Sequence, residues 1–348
     1  MEKFKDLFIL ELSNNHLGDF DRAVEMILRC AQVVKKNNVK SAIKFQLRDT
    51  QNFVHKDYKN AQNLRYVRKV LDFSLSWEEY EKLFDLAREN NLLCCATPFD
   101  EVSALKCKEF NLDFIKIASC DIKNIPLLKT IATLKMPTIV SLGGADDTEC
   151  ENIVQYLKLN DIDFAINYCA SSYPSYDKDL NLDKITKLKE RFSPVVVGFS
   201  THQKNEDLIY SIPASTTLGA QMIERHVDIE FEGKMRMEYC STPEQLEQIF
   251  IAYQKTKEII NKTPARQIII EQKEKELLSK FTRALWAKKD LTAGEILSED
   301  DFYFAIPYLN KNQLTHNDLI CNLKIKNDIK RDEPITFDNT EPFNPTVF

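Results

Sequence analysis

Two lysines interrupt apolar segments of the sequence that have the length of β-strands. Lys44 follows Ala42-Ile43, and Lys116 follows Phe114-Ile115. A buried ammonium group without a partner is costly, so each lysine is expected to face an anion. One such lysine is equally compatible with a solvated strand edge, but two lysines after similar apolar runs favour anionic partners.

Serine hydroxyls lie at or near the ends of three apolar segments. Ser119 follows the segment that carries Lys116, Ser141 lies near the end of Thr138–Leu142, and Ser200 comes directly after Val195–Phe199. Serines in these places also cap the helices that follow. Together with two lysines, however, they predict a cradle for a phosphate or carboxylate group.

Three of the five histidines occur just after strand-like segments, at His16, His202 and His226. His202 and His226 follow consecutive strands, and neutral imidazoles are common ligands of divalent metals. The pair therefore predicts a site for one divalent metal, with two hydrogen-bonded structural histidines as the alternative. From the residues alone we expect an anion-binding lyase or synthase, with a metal as one option.

Eight short apolar segments alternate with longer amphipathic ones and predict the elements that position these side chains. The predicted strands are Leu7–Glu11, Ser41–Gln46, Leu92–Ala96, Phe114–Ile117, Thr138–Leu142, Phe164–Tyr168, Val195–Phe199 and Gln221–Glu224, and helices are predicted at Phe20–Lys36, Trp77–Asn90 and Pro243–Ile260. This alternation is typical of the α/β class and predicts a (β/α)8 TIM barrel.

A doubly wound sheet is the alternative fold, but it usually carries a glycine-rich turn after its first strand. Here that turn reads Ser13-Asn14-Asn15-His16 and favours the barrel. Catalytic groups of barrel enzymes lie at the carboxyl ends of the strands. Glu11 and Glu224 end the first and last strands, so we expect them to join the lysines, serines and histidines in one site.

The pattern changes after the barrel segment. We assign residues 1–262 to the barrel, 263–280 to a charged linker and 281–348 to a small β-rich domain, because short strands and turns follow residue 281.

Composition excludes several classes of protein. The chain has 348 residues, a net charge of −6 and nine cysteines. A general nucleic-acid binder needs a basic surface, and no apolar run approaches the ~20 residues of a membrane span. The cysteines lack zinc-finger spacing, and the N-terminus lacks the apolar core of a signal peptide. We therefore expect a cytoplasmic protein with reduced thiols.

The order and spacing of these residues resemble the sialic acid synthase family, whose members condense phosphoenolpyruvate with sugars to make nonulosonic acids. The resemblance is nearly full length. The matching segments are Leu10–Gly18 (A-E-I-G-x-N-H-x-G in the family), Lys44-Phe45-Gln46 (K-F-Q), Ala96–Asp100 (S-T-P-F-D), Phe114–Ser119 (F-K-I-G-S), Ile139–Gly143 (I-x-S-T-G), Tyr168–Pro174 (H-C-T-x-x-Y-P), Gly198–His202 (G-L-S-D-H) and Leu218–His226 (L-G-A-x-x-I-E-[KR]-H). Arg283–Glu295 resembles the antifreeze-like (SAF) domain of the same enzymes.

The resemblance implies a role for each site residue. Phosphoenolpyruvate would be bound by Lys44, Lys116, Ser119, Ser141, Ser171, Tyr173 and Ser200. His202 and His226 would bind Mn2+ or Mg2+, which contacts the aldehyde of an open-chain sugar, while Glu11 and Glu224 would contact the sugar and assist proton movement.

The implied reaction gives a 3-deoxy-2-keto sugar acid and phosphate, for surface carbohydrate biosynthesis. The implied assembly is a domain-swapped homodimer in which the small domain caps the barrel of a partner subunit.

Departures from the family concentrate in the sugar half of the site. Ile306-Pro307 stands where the family has R-P, Met235-Arg236-Met237 replaces a G-P-D loop, and Ser13 and Thr201 replace Gly and Asp. These changes predict that the condensation is retained and the acceptor altered, with a sugar similar to N-acetylmannosamine as the less favoured option. A non-catalytic paralogue that binds a sugar or phospho-ligand, and a barrel aldolase that acts through a lysine Schiff base, are the alternative functions.

Overall fold

Eight parallel strands close into a barrel in which each strand pairs with its sequence neighbours and the first pairs with the last. The computed structural model describes residues 2–230, 237–260, 270–318 and 322–343. The barrel strands are β1 Leu7–Ser13, β2 Lys40–Leu47, β3 Leu93–Pro98, β4 Phe114–Ile117, β5 Thr138–Ser141, β6 Phe164–Cys169, β7 Val197–Thr201 and β8 Met222–His226. The predicted (β/α)8 fold is confirmed.

Helices surround the barrel and fill the connections between strands. They are α1 Phe20–Asn37, α2 Arg65–Asp72, α3 Trp77–Glu89, α4 Glu101–Glu109, α5 Ile125–Leu134, α6 Asp147–Leu159, α7 Asp183–Phe192, α8 Leu208–Thr217 and α9 Pro243–Ile259. Helix α3 begins with the expected capping box, because Ser76 and Glu79 each accept the other's backbone N–H. Helix α2 was not predicted, and it gives the connection between β2 and β3 one helix more than a simple β/α unit needs.

The interior of the barrel is divided into an apolar and a charged part. Leu7, Ile9, Phe114 and Met222 form a buried apolar cluster with the ring of Phe4, which comes from the turn before β1. The ring centroids of Phe4 and Phe114 are 5.9 Å apart. Further along the same strands the inward side chains become charged, as described below, so the reactive groups rest on a packed apolar base.

The chain divides into two compact units, Met1–Asn261 and Lys262–Phe348. In the second unit, β9 Ala284–Ala287 pairs antiparallel with β10 Phe302–Ala305, and β11 Leu323–Ile325 pairs antiparallel with β12 Thr340–Pro342. Its buried cluster includes Leu285, Leu314, Ile325 and Ile335. Helix α10, Gln272–Ser279, lies within the segment predicted as a linker.

None of the helices in the described ranges is long and apolar enough to cross a membrane. Eight of the cysteines lie in those ranges with free thiols, and all of these except Cys120 are buried.

Candidate active site

A cavity of about 550 Å³ opens at the carboxyl end of the barrel strands, where TIM-barrel enzymes carry their active sites. All of the residues predicted for the site line it: Glu11, Lys44, Lys116, Ser119, Ser141, Ser171, Tyr173, Ser200, His202, Glu224 and His226. The expectation that these side chains converge is therefore met by the structure, while their individual roles stay predictions.

Four buried charges form the inner wall of the cavity. Lys44 Nζ contacts the carboxylate of Glu11 and lies 3.4 Å from Glu224 Oε1, and Lys116 Nζ lies 2.5 Å from Glu224 Oε2. Glu224 Oε2 also accepts a hydrogen bond from Asn167 Nδ2 at 2.8 Å. The anionic partners expected for the two lysines are thus carboxylates of the barrel itself.

Burial and pairing shift the pKa values in this group. Burial alone would raise the pKa of Glu224, but Lys116 and Lys44 lower it to about 2. Burial lowers the pKa of Lys44 to about 8, although Glu224 opposes that shift. At neutral pH Glu224 is therefore a carboxylate, and Lys44 is charged but able to release its proton.

Serine hydroxyls meet beside Gly143, on the loop after β5. The Gly143 N–H donates to Ser119 Oγ at 3.0 Å. A Cβ atom at position 143 would overlap Ser171 Oγ and would lie 2.9 Å from Ser119 Oγ. Glycine is thus what allows hydroxyls from two different loops to approach each other here. Ser141 and Ser200 line the same cavity from β5 and β7.

The two predicted metal ligands lie side by side, with the ring centroids of His202 and His226 5.1 Å apart. His202 Nδ1 is 2.8 Å from the carbonyl oxygen of Ala170, an arrangement in which Nδ1 carries the proton and Nε2 keeps a lone pair. Nδ1 of His226 is buried without a partner in the described part of the chain. Burial lowers the pKa of His202 to about 4 and that of His226 well below its usual value.

Both imidazoles are consequently neutral at physiological pH, which is the state that binds a metal. Within the described residues no group of three or more His, Cys, Asp and Glu side chains is arranged as a complete metal site. Two adjacent neutral imidazoles are donors that would suit a divalent metal.

Several residues of this site were not among those predicted. Thr97, on β3, accepts a hydrogen bond from Lys44 Nζ at 3.0 Å, and Asn167, on β6, donates one to Glu224. Like the two lysines, both are polar residues inside buried strands, the pattern from which the lysines were predicted. Arg48, Lys69 and Tyr239 also line the cavity, but they come from connections whose path the sequence pattern does not predict.

His16, by contrast, does not line the cavity. It is buried, and its ring packs against Phe45 and Tyr80 with centroids 6.0 and 6.1 Å apart. It is a structural histidine that accepts a hydrogen bond from the Gly18 N–H at 3.2 Å.

A buried arginine joins the loops that follow β1 and β8. Arg22 contacts Asp228 through an ion pair of 2.5 Å and donates to the carbonyl oxygens of Asn15 and Ile229, each at 2.7 Å. Because β1 carries Glu11 and β8 carries Glu224 and His226, this link fixes the two strands that supply both carboxylates of the site and one of its two histidines.

The departures from the family pattern have different structural consequences. Ser13 has a φ of 53°, the left-handed region that glycine occupies easily. Ile306, in place of the family's arginine, is 67% exposed. Met235 and Arg236 lie outside the described residues.

Comparison with known proteins gives consistent matches along the chain. The sequence profile of the NeuB family matches residues 33–263, and that of the SAF domain matches residues 282–340. N-acetylneuraminate-9-phosphate synthase of Drosophila melanogaster is 28% identical, with 94% of each chain covered. A pseudaminic acid synthase of Campylobacter jejuni is 29% identical, again with 94% of each chain covered. The crystal structure of a putative spore coat polysaccharide biosynthesis protein E from Chromobacterium violaceum superposes with a TM-score of 0.83 at 28% identity, covering 97% of this chain and 100% of the other.

Proposed function

Because this chain belongs to the NeuB family and is a synthase of the type that family contains, we propose that it condenses phosphoenolpyruvate with an open-chain aldose to give a 3-deoxy-2-keto sugar acid and phosphate. The observation that carries the proposal is the convergence of two buried lysines, several serine hydroxyls and two neutral histidines on one cavity. Lysine ammonium groups and serine hydroxyls bind anions such as phosphoenolpyruvate. Neutral histidines bind a divalent metal, which would polarise the aldehyde of the acceptor.

In the proposed reaction phosphoenolpyruvate lies against Lys44, Lys116 and the serines around Gly143. The lysine ammonium groups offset the charge of its phosphate and carboxylate, and the hydroxyls of Ser119 and Ser171 donate to the phosphate oxygens. Binding requires Lys44 and Lys116 to exchange part of their contact with Glu11 and Glu224 for contact with the substrate. That exchange frees both carboxylates for the chemical steps.

Carbon C3 of phosphoenolpyruvate then forms a bond to the aldehyde carbon, and positive charge develops at C2. The pairing with Lys116 and Lys44 that lowers the pKa of Glu224 weakens when these lysines turn to the substrate, so the carboxylate becomes more basic. It stabilises that charge and accepts a proton from the water that adds at C2. Lys44, with a pKa of about 8, is suited to give a proton to the oxygen of the former aldehyde. In the C2 adduct the O–H bond of the new hydroxyl and the C2–O bond to phosphate both break as the C2 keto group forms, and the hydroxyl proton leaves with the phosphate. Glu224 then returns the proton it accepted to Lys44, which restores both groups.

We also propose that His202 and His226 hold a divalent metal, Mn2+ or Mg2+. The support is that both imidazoles are neutral, adjacent and supplied with a free ring nitrogen. When bound, such a metal polarises the aldehyde as a Lewis acid.

The decisive experiment measures phosphate release from phosphoenolpyruvate with a panel of hexosamines, diamino sugars and pentoses in Mn2+, with and without chelator. We expect chelator-sensitive release with at least one acceptor. Lys116→Ala should abolish or strongly reduce it, whereas Lys129→Ala, an exposed lysine on α5, serves as the matched control and should not. Folded protein that releases no phosphate with any acceptor would favour the non-catalytic paralogue instead.

A second candidate function is a barrel aldolase that forms a lysine Schiff base. The lowered pKa of Lys44 favours it, since a neutral amine is the nucleophile. Borohydride treatment in the presence of pyruvate separates the two functions. An irreversible mass increase on Lys44 would support the aldolase, and its absence with active protein would support condensation.

The acceptor sugar and the assembly belong to the same proposal. An acceptor similar to N-acetylmannosamine is supported by the named relatives, whereas the exposed Ile306 in place of an arginine supports an altered one. The domain-swapped homodimer is supported by the match to the SAF domain. Light scattering tests it, and a fully active monomer would exclude it.

A further inference from the structure

Two cations line the cavity without a carboxylate partner among the described residues. Arg48 follows β2 directly, and Lys69 lies on α2. Lys44 and Lys116 pair with Glu11 and Glu224 deeper in the same cavity. Across the described ranges, neither Arg48 nor Lys69 forms an ion pair, so their two positive charges face the cavity uncompensated.

The guanidinium group of Arg48 is held in a fixed place by neutral groups. It lies over the ring of Phe99, with its Cζ 3.8 Å from the ring centroid. Its Nη2 donates to Gln46 Oε1 at 3.1 Å and its Nη1 to Asn14 Oδ1 at 3.5 Å. Its Nε is buried and finds no acceptor among the described residues. These contacts orient the arginine but leave its positive charge unbalanced, which favours an anion at the part of the guanidinium that lines the cavity.

The positive charge of Arg48 also affects Lys69. Burial lowers the pKa of Lys69 most, and the charge of Arg48 lowers it further. Two like charges kept near each other in a half-buried site favour an anion that neutralises both.

We propose that the acceptor sugar carries an anionic group, a phosphomonoester, which binds to Arg48 and Lys69. This inference rests on the proposed condensation and names its substrate class. Phosphoenolpyruvate occupies the buried Lys44 and Lys116 together with the serines around Gly143, whereas the half-buried Arg48 and Lys69 stay available to the second substrate. His202, His226, Arg48 and Lys69 line the same cavity, so a sugar whose aldehyde lies at the two histidines would share that cavity with the two cations. A dianionic phosphate suits a guanidinium and an ammonium together.

The test compares matched acceptors on the full-length protein, namely N-acetylmannosamine with its 6-phosphate and mannose with its 6-phosphate, by following the loss of phosphoenolpyruvate. The phosphorylated member of the preferred pair should have the lower KM. Arg48→Gln and Lys69→Gln should each raise that KM about 10- to 100-fold, the effect of losing one charge-assisted hydrogen bond. The KM for phosphoenolpyruvate and for the neutral sugar should stay nearly unchanged.

Lys56→Gln is the matched control, because Lys56 is an exposed lysine of the same β2-to-β3 connection and does not line the cavity. Arg48→Lys keeps the charge but loses the planar fork, and should recover part of the affinity. A further assay with mannuronate as the acceptor distinguishes a site for phosphate from a site for carboxylate. A lower KM for mannuronate than for N-acetylmannosamine 6-phosphate and mannose 6-phosphate would overturn the phosphomonoester assignment.

Equal KM values for neutral and phosphorylated acceptors would overturn the inference while leaving the condensation intact. So would a rise in the KM for phosphoenolpyruvate that is the same with every acceptor, since it would assign both cations to that substrate. If no acceptor supports turnover, the condensation itself fails, and calorimetric binding of N-acetylmannosamine 6-phosphate then decides the inference. Binding that is no tighter than for the neutral sugar, or unaffected by Arg48→Gln, would overturn it.

Discussion

Replacing Gly143 by alanine tests the serine cradle with one methyl group. The added Cβ would overlap Ser171 Oγ and crowd Ser119 Oγ, so at least one hydroxyl must rotate out of the site. The backbone at Gly143 does not have the positive φ that would strain alanine. The serine hydroxyl of position 171 is the end of a short rotatable side chain, so the protein should stay folded.

The expected loss concerns affinity for phosphoenolpyruvate. A hydrogen bond from a hydroxyl to a charged phosphate contributes about 1.5–3 kcal/mol. Loss of one such bond raises the KM for phosphoenolpyruvate about 10- to 150-fold. Steady-state kinetics with phosphoenolpyruvate varied at saturating acceptor measures it, with thermal melting as the check on folding.

Gly144→Ala is the adjacent control with the opposite expectation. Gly144 has a φ of +73°, and a Cβ there would meet nothing within 4 Å. Alanine at this position should cost roughly 1–2 kcal/mol of stability through backbone strain and leave the KM for phosphoenolpyruvate alone. A folded Gly143→Ala protein whose KM lies within twofold of the parent would refute the assignment of these serines to the phosphate.

Three further predictions concern the charged and metal-binding groups. His202→Ala should remove Mn2+-dependent turnover and weaken Mn2+ binding in calorimetry while the circular dichroism spectrum is kept; unchanged turnover would contradict the metal assignment. Lys116→Ala should raise the KM for phosphoenolpyruvate about 10- to 100-fold, and a normal KM would exclude its role. Because the pKa of Lys44 is about 8 and the ammonium is lost as pH rises through it, the KM for phosphoenolpyruvate should rise above pH 8. The Lys69→Gln variant should show the same rise in KM above pH 8. A parent protein whose KM for phosphoenolpyruvate stays constant up to pH 9.5 would contradict the assignment of Lys44 to that substrate.

The barrel could be predicted from sequence because its signals are local. Each strand is buried on both faces and therefore reads as a short apolar run, as in β4 and β7. A charged residue inside such a run, such as Lys44 or Lys116, must be paired, and that requirement identified the site before its geometry was known. The second unit was likewise recognisable by its short strands and turns.

The partners of those residues could not be predicted in the same way. That Glu224 accepts from both Lys116 and Asn167 depends on how three non-adjacent strands meet inside the barrel. Helix α2 is amphipathic but only eight residues long, so its apolar pattern spans too few turns to identify a helix from the sequence. Lys69 and Tyr66 consequently stayed outside the predicted site.

The apolar cluster beneath the charged groups has a kinetic consequence. Phe4 and its neighbours fill the barrel below the charged groups. Both substrates therefore enter, and both products leave, through the opening of the cavity at the carboxyl end of the strands. Lys44 and Lys116 are 3% and 4% exposed, whereas Tyr66 in the same cavity is 62% exposed. The deeper ligand must therefore arrive first and depart last. An acceptor that enters ahead of phosphoenolpyruvate obstructs the passage, so we expect a compulsory order of addition and inhibition by excess sugar that rising phosphoenolpyruvate relieves.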